Sequence, residues 1–181
     1  MLNSSRSLVL PVAALVVAWS GLALSETSRG APSPRAAVTP MRPTMTLELA
    51  RAVIDAGVVE AGRLSAGGAI AVVDDGGYLV CLVRLDDTFP AAAEVASAKA
   101  RTAAIFRKPT KDFEDAVRAG RTTLVAVEPM TPLEGGVPIR IDGVVVGAVG
   151  VSGAHSSAED VQIATAAADA LSTLGRAATS D

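Results

Sequence analysis

Aromatic residues are scarce in this chain: they make up 3% of its 181 residues, with one Trp, one Tyr and three Phe. Half of the residues are nevertheless hydrophobic, a share too high for a disordered chain and enough for a core of mainly Ala and Val. Cysteine and histidine occur once each, as Cys81 and His155. One thiol excludes an intrachain disulfide, and one Cys with one His falls short of the roughly four ligands of a protein-only structural zinc site. Positive charge is also short, with 16 Lys and Arg against 19 Asp and Glu, a net charge of −3. Without a basic surplus to neutralise phosphates, nucleic acid is not an expected partner. What remains is a mildly acidic chain long enough for one globular domain.

The N-terminus reads as an address. Arg6 and the chain amine precede an apolar, uncharged run over residues 8–24, and Ala23 and Ser25 supply the small residues that a signal peptidase accepts. The run is shorter than the ~20 residues of a membrane span and contains Pro11 and Gly21. Residues 1–25 are therefore expected to be a signal peptide, giving an exported, periplasmic or extracellular protein with no stable membrane span after cleavage. Residues 26–43, with Pro32, Pro34, Pro40 and Pro43, read as a flexible tether. The domain follows over 44–176 and a short tail over 177–181.

Within the domain, Thr46 is a candidate N-cap for a helix whose apolar residues Leu47, Ala50, Ile54, Val58 and Ala61 recur at helical spacing, with Gly67 and Gly68 as its stop. Two β-rich runs around Asp74-Asp75-Gly76-Gly77 predict a hairpin. Pro90 opens a second helix carrying Ala92, Ala96, Lys99, Ala100 and Ala103, whose alanines permit close approach of another element. A short helix over 112–119 follows, then three strand candidates at 123–127, 137–141 and 144–151, the last two joined by Asp142-Gly143. Ser156 or Ser157 caps a closing helix, with Glu159 and Asp160 as capping-box partners and Gly175 as its end. The predicted order is α-β-β-α-α-β-β-β-α. Tight turns between neighbouring strands imply an α+β sandwich with a largely antiparallel five-stranded sheet.

Chemistry-bearing residues are few. The segment from Gly147 through Gly153 lies between a strand and a helix, but its glycine spacing and hairpin context do not fit a dinucleotide fold. It reads either as a small-residue packing corner or as a place where helix-start N–H groups face an anion. His155 in the same corner is either an exposed loop residue or an axial ligand for haem iron. Arg84, Lys99, Arg101, Arg107, Lys108 and Lys111 give a basic middle able to meet carboxylates. Cys81, inside an apolar strand, reads as a buried and inert thiol.

From about Thr46 to Leu174 the chain resembles the GlcG/HbpS family of haem-binding proteins, which also includes the C-terminal domain of PduO-type proteins. The likeness is carried by Ala71-Val72-Val73-Asp74 with Gly77, Arg84-Leu85-Asp86, Ala98-Lys99-Ala100-Arg101-Thr102-Ala103 and Pro109-Thr110. It continues through Gly135-Gly136-Val137-Pro138-Ile139, Asp142-Gly143, the segment from Gly147 to Ala154, and Glu159-Asp160. The resemblance implies a profilin-like sandwich and a homo-oligomer, commonly an octamer. It also implies haem as the cofactor, in haem sensing, iron handling or protection from oxidative stress. On that expectation Lys99 and Lys108 meet the haem propionates, and His155 or Thr110 stands at the iron; Thr110 occupies the family-like Pro-Thr position. Two other readings remain: an enzyme or accessory protein for a small carboxylate such as glycolate, held at the Gly147 to Gly153 corner, and a structural oligomer without a ligand.

Overall fold

Alternation in the first strand decides which face of the sheet receives which helix. In β1 (Ala69–Asp74) Ile70 and Val72 point to one side, while Ala69, Ala71 and Val73 point to the other. A computed structural model describes residues 41–178, with side chains described through Leu171. The expected signal peptide and nearly all of the tether lie outside the described residues.

β1 pairs with β2 (Leu79–Arg84), and β3 (Gly136–Ile141) pairs with β4 (Val144–Ser152). Antiparallel pairing of β1 with β4, Val72 opposite Val149, joins the two hairpins into one sheet of order β2-β1-β4-β3. The helices are α1 (Leu47–Arg63), α2 (Ala92–Phe106), α3 (Thr110–Arg118) and α4 (Ser157–Ala178). α1 and α4 cover the face bearing Ile70, Val72, Ile139 and Val151, and meet it with Val53, Ile54, Ile163 and Leu171. α2 covers the opposite face through Ala92, Ala96, Ala100 and Ala103.

Small residues on both partners let α2 lie almost on the sheet backbone. A Cβ added at Gly150 would overlap the carbonyl oxygen of Ala96 and come within 3.0 Å of the Ala100 methyl. The glycine-rich β4 is thereby explained as a packing surface, and each element here is locally consistent with the layer it enters.

Among the described residues the sheet has four strands, not the expected five, because residues 123–127 do not extend. Thr122–Ala126 forms a 3-10 turn, with the Leu124 N–H donating to Arg121 and the Val127 N–H to Leu124. Only Leu124 is buried there, while Val125 and Val127 are exposed. The segment reaches no strand edge, so its amides are satisfied locally instead of in a ladder.

Thr46 caps α1 as expected, its hydroxyl accepting from the Leu49 N–H at 3.2 Å. The helix stops at Arg63, ahead of Gly67, and Ser65 takes the left-handed turn at φ 54°. α4 runs past Gly175 to Ala178 and so takes in the start of the segment read as a tail. Cys81 is only half-buried, because β2 is an edge strand with partial cover on both faces.

Candidate functional site

Three segments far apart in sequence enclose a groove of about 680 Å³. Ser97, Ala98 and Arg101 of α2 form its floor, Gly77, Tyr78 and Leu79 one wall, and residues 127–131 with Val125 the other. Each wall is held by a side chain. The Asp74 carboxylate accepts from the Gly76 N–H (3.0 Å) and the Tyr78 N–H (2.9 Å), which fixes the turn that presents Tyr78. The buried Thr102 hydroxyl accepts from the Thr131 N–H at 2.9 Å and ties the opposite wall to α2. Tyr78, Leu79, Val125 and Val127 are all exposed there, so the groove gathers apolar surface that the core does not use.

A second hollow, about 410 Å³, is lined by Ser65, Asp86, Asp87 and His155 among others. His155 is exposed; its Nδ1 lies 2.9 Å from Glu159 Oε2, and its N–H donates to the same carboxylate at 3.3 Å. Ser156, rather than Ser157, caps α4, its hydroxyl accepting from the Glu159 N–H. The Ala154 N–H is taken by Asp160 Oδ1 at 3.0 Å. The Ala154 and His155 N–H groups ahead of α4 thus face the chain's own carboxylates, and Gly150 in the Gly147 to Gly153 corner serves packing against α2.

Lys99 departs from its expected role as a propionate partner. It is 3% exposed, and its Nζ donates to Asp160 Oδ2 at 2.8 Å and to the Val151 carbonyl at 2.9 Å. An ammonium buried in this way is committed to the core, where an unpaired charge would be very costly. Thr110 is also fully buried; its hydroxyl accepts from the Gly136 N–H at 2.8 Å. Lys99 and Thr110 do meet, around Gly136, where a Cβ would come within 2.7 Å of Thr110 Cγ2 and would strike the Lys99 carbonyl. Lys108 stands exposed between α2 and α3. None of these four residues lines the larger groove, whereas Arg101 does.

Glu134 adds a buried carboxylate beside the Gly135-Gly136 bend. A hydrogen bond from Ser157 and the nearby Lys111 ammonium, 3.5 Å away, hold its carboxyl below the usual carboxylate range. Asp115 in turn raises Lys111. These charges tie α3 to the bend and to α4. Among the described residues no group of three or more His, Cys, Asp or Glu is placed to hold a metal ion. No described helix is long and apolar enough to cross a membrane.

The four-stranded antiparallel sheet with helices on both faces defines an α+β sandwich of the kind expected from the sequence. The family model described as "Haem degrading protein HbpS-like" matches residues 45–169, and the chain belongs to the HbpS-like family. Protein GlcG of Escherichia coli (strain K12) is 48% identical over 108 residues, covering 60% of this chain and 81% of that protein. Among solved structures, a double mutant of Streptomyces reticuli HbpS shares the fold with a TM-score of 0.69 and 31% identity, covering 78% of this chain and 97% of that one. The PduOC:heme complex is similar at a TM-score of 0.64 and 25% identity, over 71% of this chain and 95% of that one.

Proposed function

We propose that this protein is an exported haem-binding member of the HbpS-like family, assembling as a homo-oligomer and acting in haem sensing, iron handling or protection from oxidative stress. The observation that carries the haem reading is the groove. Its volume, about 680 Å³, lies within the range of small-molecule sites, and exposed apolar side chains line it beside one guanidinium. A fold shared with a heme complex supports the same reading. The residues present suit the group: Tyr78, Leu79, Val125 and Val127 offer apolar contact, Arg101 a partner for a propionate, and Tyr78 and Met130 belong to side-chain types that ligate haem iron. Bound haem would supply a redox-active iron. The protein's own part is to shield one face of the ring and to orient it by charge.

Export rests on the leader composition of residues 1–25. Assembly is supported by β2, whose Val80, Cys81, Leu82 and Val83 are each half-covered on an unpaired outer edge; a second subunit would complete that cover. Light scattering that finds a monomer at micromolar concentration would overturn the assembly reading.

Haemin titration into the purified protein, followed at the Soret band beside His155→Ala and Thr110→Ala variants, tests the function. A saturable shift at fixed stoichiometry supports it. A titration curve matching that of an unrelated acidic protein refutes it. The second reading, a small-carboxylate protein, is favoured by a cation in the groove, Arg101. It predicts calorimetric binding of glycolate without a Soret response to haemin.

A further inference from the structure

We infer that Arg101 is the carboxylate anchor of the groove, and that the ligand is an amphiphilic carboxylate whose apolar body lies against Tyr78, Val125 and Val127. The inference rests on the haem reading for its first probe, since a porphyrin propionate is one source of that chemistry and a free acid with an apolar body is another.

Four observations converge on Arg101. Among the described residues it is the only cationic side chain lining the groove. The Arg101 side chain makes no ion pair or hydrogen bond among the described residues, so its donor fork is available to a ligand. Its stem is nonetheless positioned. Gly77 is buried at φ +82°, and a Cβ there would come within 2.8 Å of Arg101 Cγ, so the missing side chain leaves the seat on which the arginine lies. A guanidinium on a seated stem presents its planar donor fork with less freedom to lose on binding a carboxylate. Finally, four of the nine large hydrophobic residues exposed among the described residues line this groove. A cation surrounded by unused apolar surface matches a ligand with one charged end and one greasy body.

Glu128 lies on the same lining and is the only acid there among the described residues. Its charge opposes an incoming carboxylate and gives the inference a test with a gain as well as a loss.

The test compares haemin with its dimethyl ester, in which both propionates are capped. Affinity of the wild-type protein for haemin is expected to fall about tenfold or more in Arg101→Gln, the scale of a hydrogen bond to a charged group. Arg101→Lys should recover part of that loss, and Glu128→Gln should bind haemin more tightly than wild type. The dimethyl ester should bind wild type and Arg101→Gln alike. Thermal melts control for folding, and Arg101 is exposed, so the variants should melt with the wild type. Equal haemin affinity in wild type and Arg101→Gln overturns the anchor while leaving haem binding intact. If wild type binds no haemin, the haem reading falls, and calorimetry with 1-pyrenebutyrate and with glycolate decides the anchor separately. Binding of 1-pyrenebutyrate that Arg101→Gln abolishes upholds it; 1-pyrenebutyrate binding that Arg101→Gln leaves unchanged, binding of glycolate alone, or binding of neither acid overturns it too.

Discussion

Lys99 Nζ sits 2.8 Å from Asp160 Oδ2, and this pair links α2 on one face of the sheet to the first turn of α4 on the other. Both side chains are almost wholly buried. Asp160 spends its second oxygen on the Ala154 N–H, and Lys99 a second proton on the Val151 carbonyl, so the charges enter the core with their hydrogen bonds made. Breaking such a pair from one side leaves a buried charge unmatched, at about 3–5 kcal/mol. Lys99→Met should lower the free energy of unfolding by that amount, read in urea as a lower midpoint with an unchanged m-value. The double variant Lys99→Met with Asp160→Leu should recover much of the loss, because it removes both charges. A single variant as stable as wild type would show that the pair contributes nothing net.

The contact between α2 and the sheet predicts a sharp difference between two glycines. At Gly150 a Cβ would overlap the Ala96 carbonyl and approach the Ala100 N–H and methyl, all on a rigid helix that cannot yield locally. Gly150→Ala should therefore fail to fold or lose several kcal/mol, about the upper end of overpacking costs. Gly143, in the β3–β4 turn at φ +77°, has nothing within 4 Å of an added Cβ. Gly143→Ala should cost only the left-handed backbone penalty, about 1–2 kcal/mol. Chemical denaturation of both variants checks the contrast, and equal losses would contradict the packing account.

How much of this could be read from the sequence depends on how far apart the interacting residues lie. The alternation of Ile70 and Val72 with Ala69 and Ala71 marks β1 as a central strand, and the alanines of α2 announce a close approach, because both signals are local. Residues 123–127 mislead, since their β propensity is real but no strand edge lies within reach to use it. Lys99 carried a signal of its own. It falls in the buried stripe with Ala92, Ala96, Ala100 and Ala103, and a lysine there requires a buried acid. The partner is 61 residues away, which spacing cannot reveal. The groove was illegible for the same reason: its floor and two walls come from three separate segments, and only folding sets Arg101 against Gly77.

Thr110 offers a way to separate a structural hydroxyl from a ligand. Its Oγ1 is fully buried against the Gly136 N–H, at the point where the chain enters β3. Thr110→Val keeps the shape and orphans that N–H, so stability should fall by about 1–3 kcal/mol. Thr110→Ser keeps the hydroxyl and should lose less. The Soret maximum of haemin bound to either variant should match that of wild type. A spectral change specific to Thr110→Val, without loss of stability, would instead place the hydroxyl at the iron.

Acid should weaken the polar contact between α1 and α4 that Glu60 makes. Glu60 accepts from Arg63 at 2.8 and 2.9 Å and from Gln162 Nε2 on α4 at 2.7 Å. The Arg63 hydrogen bond first, and the Gln162 bond second, hold the Glu60 carboxyl well below its ordinary 4.5, down to about 2. A carboxylate whose value is lower in the folded than in the unfolded state contributes stability above its unfolded value. That contribution disappears as pH falls through the folded one. The Glu60 contribution should therefore be complete above about pH 4.5 and vanish towards about pH 2. Glu60→Gln removes the titrating group, so it should melt below wild type at pH 6, with the gap in Tm closing over that acidic window. High salt should narrow the same gap at pH 6, because Arg63 lies at the surface where ions screen it. A gap that persists unchanged to pH 2 would mean that the Glu60 charge has no part in holding α1 to α4, leaving that contact to Val53, Ile54, Ile163 and Leu171.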